Sequence, residues 1–161
     1  MAQSGEKRRS EETPVPGARV LLVEARFEPS ICDELVAGAM ERLQAAHVQV
    51  EHIRVPGALE APIAAVIALD AAEKAGKPFH GLVAVGCVIR GETFHFEIVA
   101  GESARALMDL AVARRLPFGN GILTVENEAQ ALSRARRSEG DKGGEAASAA
   151  LALIRLAQAR T

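Results

Sequence analysis

The 161-residue sequence has no tryptophan and no tyrosine, and aromatic residues make up only 3% of it. A core without large rings must be built from aliphatic side chains, and the 48% hydrophobic content supplies them as Ala, Val, Leu and Ile. That composition suits helices layered on a buried parallel sheet. Cysteine is scarce as well: Cys32 and Cys87 are the only two, and they lack zinc-ligand spacing. A disulfide framework is therefore excluded, and both thiols are expected to be reduced, as in a cytoplasmic protein. No apolar stretch approaches the roughly 20 residues of a membrane span, and the opening MAQSGEKRRSEETPVPG has no apolar signal core. Nor is there an excess of positive charge: the formal net charge of −2 argues against nucleic acid and an anionic membrane surface as partners. His47, His52 and His80 share no spacing that would hold a metal, so none is expected.

The length allows one domain of ordinary size. Residues 1–17 are polar, of mixed charge and interrupted by Pro and Gly, which predicts a disordered or strand-like N-terminal arm ahead of a single domain over 18–161. Within the domain, RVLLV from Arg19 is a run buried on both faces and predicts a first strand. Ile31, Leu35, Ala39, Leu43 and Ala46 then fall on one helical stripe, with Ser30 as the expected N-cap. VQVEHIRV reads as a strand, Pro56-Gly57 as a turn, and APIAAVIALDAAEKAG as a helix stopped by Gly76 and Pro78. GLVAVGCVI gives a third strand, followed by the link RGETFH and a helix to about Leu116 with Ala104, Leu107, Met108 and Ala111 facing inward. GILTV, a short helix near Asn127 to Arg137, the break SEGDKGG and a final Ala/Leu helix complete the chain. Strands alternating with crossover helices predict a four-stranded parallel sheet in a three-layer α/β/α sandwich, with functional loops at the carboxyl ends of the strands.

Four segments follow strand ends and should meet at one edge: Arg26 to Pro29, Pro56 to Glu60, Arg90 to His95, and the stretch from Glu126. Gly91, Glu92 and Thr93 offer backbone N–H groups and a hydroxyl ahead of a helix N-terminus, which is either an anion pocket or an ordinary loop with a capping Thr. His95 closes that loop, as a proton shuttle at working pH or as a histidine bonded to Glu97 or backbone. Arg134 and Lys142 read locally as solvated cations, Glu60 as a first-turn acid, and Phe27 as core filler or as a flat ring for a planar heterocycle.

Taken in order, ARF at Ala25, VPGALEAP at Val55, GCVIRGETFHFEIV at Gly86, GILTVENEAQALSRA at Gly121 and DKGGEAA at Asp141 resemble the lumazine synthase family from about Arg19 to Leu156. The resemblance implies a flavodoxin-like fold and an enzyme of the penultimate step of riboflavin biosynthesis. That reaction joins 5-amino-6-(D-ribitylamino)uracil to 3,4-dihydroxy-2-butanone 4-phosphate, giving 6,7-dimethyl-8-ribityllumazine, phosphate and water, with no metal or organic cofactor. It implies His95 as general acid/base, with Glu97 orienting it, and Arg134 with Gly91, Glu92 and Thr93 as the phosphate site. Phe27 would stack on the pyrimidine; Ala58, Leu59 and Glu60 would hold the ribityl chain and heterocycle. Cys87, Val88 and Ile89 would read the pyrimidine edge, and Lys142 would approach it from another direction. Leu59 stands where many members carry Phe, Glu28 where Asn is frequent, and Asn120 where an aromatic of the neighbouring subunit often covers the pyrimidine. The resemblance further implies a homopentamer with sites between adjacent subunits. The turn ARRSEGDK, unlike that of capsid-forming members, favours an isolated pentamer or a pair of them over a sixty-subunit shell. Two readings compete with the enzyme: a catalytically slow paralogue that carries or senses lumazines or flavins, and a generic flavodoxin-like nucleotide binder, which explains the fold but not the spaced segments.

Overall fold

A computed structural model describes residues 12–161. Strands and helices alternate along them as β1 (Arg19–Ala25), α1 (Pro29–Ala45), β2 (Gln49–Val55), α2 (Glu60–Lys74), β3 (Gly81–Ile89), α3 (His95–Arg114), β4 (Phe118–Val125), α4 (Glu128–Ala135) and α5 (Lys142–Ala159). The strands form one four-stranded sheet in the order β2-β1-β3-β4, and every pairing is parallel. Helices cover both faces, so the fold is the expected three-layer, flavodoxin-like α/β/α sandwich.

The burial of each strand explains its sequence. β1 and β3 are central, and their uninterrupted apolar runs are buried on both sides. β2 and β4 are the edges, and their residues alternate in exposure. On one face Val20 and Leu22 of β1 pack with Leu35 and Leu43 of α1 and Leu151 and Ile154 of α5. On the other, Leu21 and Val23 pack with Ala61, Ala65 and Leu69 of α2 and Leu107 of α3. A third, smaller cluster of Ala25, Ala58 and Val88 closes the carboxyl end of the sheet. From β1 the chain builds toward β2 and then crosses to β3 on the other side. Such a reversal opens a crevice at the carboxyl ends of the strands.

Several local expectations are corrected. Ser30 is not a cap: α1 starts at Pro29 behind Glu28, because proline at the first helical position has no N–H to leave unpaired. Met108 is 55% exposed, since the buried stripe of α3 runs through Ser103, Leu107 and Ala111, one residue out of phase with it. The break at SEGDKGG ends sooner than expected: Gly140 sits in the turn that separates α4 from α5, but the last two glycines do not. Gly143 and Gly144 lie in the first turn of α5, where a Cβ on Gly143 would stand 2.0 Å from the Leu35 carbonyl oxygen. Gly143 is there for close backbone approach to α1, while a Cβ on Gly144 would meet the Asp141 carboxylate at 2.4 Å.

Of the expected arm over 1–17, residues 1–11 lie outside the described residues. The remainder runs along the body: the Val15 N–H donates to the Ala46 carbonyl at 2.9 Å, and Glu12 accepts from Arg155 Nη2 at 2.8 Å. Among the described residues no helix is long and apolar enough to cross a membrane, and no group of His, Cys, Asp and Glu could hold a metal ion.

Candidate functional site

At the carboxyl edge of the sheet the ends of β1, β2 and β3 and the starts of α2 and α3 enclose a cavity of about 480 Å³. That size is ordinary for a small-molecule site. Each wall comes from a strand end: Phe27 after β1, Pro56 to Leu59 after β2, Cys87 to Ile89 at the end of β3, and Gly91, Thr93, His95, Phe96 and Val99 from the loop into α3. Glu60 completes it from the first turn of α2.

The lining is apolar at the floor and polar at the rim. Ala58, Cys87 and Val88 are buried, while Phe27 is 70% exposed and Glu60 and His95 are exposed. Burial pushes the Cys87 thiol up to about 12, so it serves as a small apolar surface and not as a nucleophile. Neither α2 nor α3 has a side-chain cap from its N-cap residue; the Glu60 and Ala61 N–H groups of α2 turn back to the Gly57 and Ala58 carbonyls, and the positive ends of the two helix dipoles face this region. Thr93 Oγ1 accepts weakly from the His95 N–H at 3.4 Å. Gly91 has open space around it, with nothing within 4 Å of where a Cβ would be. An anion is favoured here. Glu92, between Gly91 and Thr93, is exposed and does not line the cavity.

Arg134, Lys142 and Asn120 are elsewhere. They line a second hollow of about 420 Å³ along the free edge of β4, roofed by α4 and α5. Asn127 caps α4 by accepting from the Gln130 N–H at 2.9 Å, and the resulting helix displays Arg134, whose Nη1 reaches only the Gln130 carbonyl at 3.1 Å. Lys142 Nζ pairs with Glu145 at 2.8 Å. Asn120 Oδ1 accepts from the Ile122 N–H at 3.0 Å, occupying a donor at the sheet edge. One chain thus carries a hollow with an imidazole and another with a guanidinium and an ammonium, and its own fold does not join them.

Glu97 does not orient His95. Two residues apart on a helix, they point to different sides, and Glu97 is instead bonded to Arg90, which holds its carboxyl below the usual range. Arg90 also donates from Nε to Glu126 at 2.9 Å and lies over the Phe96 ring, 4.3 Å from its centroid. It ties the end of β3 to the start of α3 and the end of β4, a role that a lone arginine in RGETFH did not reveal.

Glu24, wholly buried at the end of β1, was equally hidden within a strand pattern. Burial pushes its carboxyl up, but hydrogen bonds from Arg26 and His52 outweigh that and hold it below 4.5. A carboxyl with a depressed pKa adds stability above its unfolded value and loses it as the pH falls. Glu24→Gln should therefore cost about 2 kcal/mol at neutral pH, with the gap to the parent closing on acidification below 4.5. Denaturant titrations across that window check it.

Comparison with known proteins brings these features under one heading. The family model for 6,7-dimethyl-8-ribityllumazine synthase matches residues 17–158. The protein of that name from Azorhizobium caulinodans is 66% identical over 143 residues, which cover 89% of this chain and 88% of that one. The namesake from Xanthobacter autotrophicus is 66% identical over 140 residues, 87% of this chain and 85% of its own. The one from Rhodopseudomonas palustris is 54% identical over 156 residues, 97% of this chain and 96% of its own. With a match that spans both hollows and the whole sheet, the chain belongs to the 6,7-dimethyl-8-ribityllumazine synthase family.

Proposed function

We infer that the chain makes 6,7-dimethyl-8-ribityllumazine in riboflavin biosynthesis, condensing 5-amino-6-(D-ribitylamino)uracil with 3,4-dihydroxy-2-butanone 4-phosphate at a site assembled from two copies. The observation that carries this is the separation of the two hollows. His95 and an apolar cavity at two helix N-termini occupy one, while the cations suited to a phosphate and a heterocycle occupy the other. Set side by side in adjacent subunits, the first hollow of one chain and the second of its neighbour make a complete site.

The roles follow from side-chain chemistry. Phe27 stacks on the pyrimidine, with Ala58, Leu59 and Glu60 along the ribityl chain and the strand end at Cys87, Val88 and Ile89 against the ring edge. Glu60 accepts from ribityl hydroxyls. Gly91, Thr93 and the start of α3 receive the phosphate together with Arg134 of the adjacent copy, whose forked donors match its oxygens. Glu92 stays outside this set and contributes at most its backbone. Lys142 and Asn120 close the pyrimidine side from the same neighbour. The 5-amino group attacks the ketone, and water leaves to give a Schiff base. His95 then takes the proton whose loss expels phosphate, and ring closure releases a second water. Orientation and proton transfer suffice, so the reaction needs no metal or organic cofactor.

Exposed Met108 and Val112 on α3 and Leu153 and Leu156 on α5 line one shallow hollow and support an assembled state, because a contiguous apolar patch in water is what a subunit interface covers. The assembly is a homopentamer, alone or paired, and works in the cytoplasm, where both buried cysteines stay reduced.

Mixing the purified protein with both substrates should produce lumazine absorbance, and its absence would overturn the function. Sedimentation reads the assembly. Arg134→Ala should raise KM for the ketose phosphate by about 10-fold to 100-fold, the loss expected for one charge-assisted contact. A parent-like KM would remove Arg134 from the phosphate site.

A further inference from the structure

The Phe27 ring is 70% exposed, yet it lines the first cavity. A ring with so little packing is not oriented by its neighbours; the backbone beneath it must do that. Here the backbone is held firmly. The Arg26 N–H donates to the Val55 carbonyl at 2.9 Å, and the Phe27 N–H to the Ala25 carbonyl at 3.1 Å. The Arg26 side chain does not line the cavity. Its Nη1 is shared between Glu24 Oε2 at 2.6 Å and Asp33 Oδ1 at 2.8 Å, joining the end of β1 to the first turns of α1.

Glu24 gives this clamp its stiffness. A wholly buried carboxylate is costly unless its oxygens are filled, and Glu24 collects His52 Nε2 at 2.8 Å and Arg54 Nε at 3.2 Å on the oxygen that Arg26 leaves open. Every partner comes from β2 or from the turn itself. A shift of Arg26 would uncover one side of the buried charge, so the turn has a single favoured place.

We propose that Arg26 is a positioning residue of the condensation: clamped between Glu24 and Asp33, it fixes the turn that presents the Phe27 ring to the pyrimidine substrate. This rests on the reading of Phe27 as the stacking surface. Arg26 touches no substrate and acts through its neighbour.

A kinetic cycle on the assembled enzyme tests this. Phe27→Ala and Arg26→Ala should each raise KM for the ribitylaminouracil by about fivefold to tenfold, toward the low end of what loss of a stacked ring costs. KM for the ketose phosphate and kcat should stay near the parent values. The double variant should match Phe27→Ala alone, because a residue acting only through the ring has nothing left to position. Arg26→Lys should recover part of the loss. If Arg26→Ala multiplies the defect of Phe27→Ala, or lowers kcat and raises both KM values together, the positioning role is overturned while the stacking reading stands. If Phe27→Ala leaves KM unchanged, the stacking reading falls and the inference with it. Should Arg26→Ala not fold, Asp33→Asn opens the exposed half of the clamp, and the same non-additivity with Phe27→Ala is required.

Discussion

Gly119→Ala should lower the apparent melting temperature by about 6–12 °C, the shift expected for a loss of about 3 kcal/mol in a chain of this size. A Cβ built on Gly119 stands 1.8 Å from the Ala146 carbonyl oxygen and 2.6 Å from its carbon. The obstacle is backbone on both sides, so no rotamer change can relieve it. Helix α5 is wedged between β4 at Gly119 and α1 at Leu35, and the matching glycine on the other side, Gly143, is just as tight. To admit one methyl group, α5 must lift from the sheet and open the contacts of Ala147, Leu151 and Ile154 with the core. Because α5 also carries Lys142 and roofs the second hollow, activity should fall with stability. Gly91→Ala is the control: nothing lies within 4 Å of its Cβ position, and its melting temperature should match the parent. Thermal denaturation of the three proteins at equal concentration decides the matter, and an unchanged Gly119→Ala would mean that α5 does not press on β4 as described.

The same glycine shows where sequence patterns carry and where they stop. Uninterrupted apolar runs at Val20 to Val23 and Leu82 to Val88 announce central parallel strands because both faces of those strands are covered. The helical stripe from Ile31 to Ala46 is equally plain, and all five of its residues are buried. In Phe118-Gly119-Asn120, by contrast, Gly and Asn read as punctuation, although β4 begins at Phe118. What keeps that strand glycine-rich is the nearness of α5, a tertiary fact without a periodic signature. The functional loops were legible because each follows a strand end, which is how the walls of the first cavity come together. Pairings across the fold were not. Nothing local says that Arg90 takes Glu97 and Glu126, or that Glu24 gathers Arg26, His52 and Arg54. Such groups are charged in composition and solvated by default, and only the packing of separate strands decides which of them are buried.

His95→Ala should lower kcat by about tenfold to a thousandfold, the range for loss of positioned acid/base assistance. His95 begins α3, its side chain is exposed within the cavity rim, and its backbone N–H rather than its ring is what meets Thr93. Removing the imidazole therefore leaves no hole in the core, and stability should stay within about 0.5 kcal/mol of the parent, as for other exposed positions. That separation makes the result interpretable, because a rate loss cannot be blamed on unfolding. KM for both substrates should change little, since stacking at Phe27 and phosphate capture at Arg134 are made by other groups. The rate should not fall to zero: bringing the amine and the ketone together is itself a large part of the catalysis, and it survives without the imidazole. Steady-state rates at saturating concentrations of both substrates measure the effect. A kcat equal to the parent's would take His95 out of the proton transfers and leave the walls of the two hollows to do the work by orientation alone.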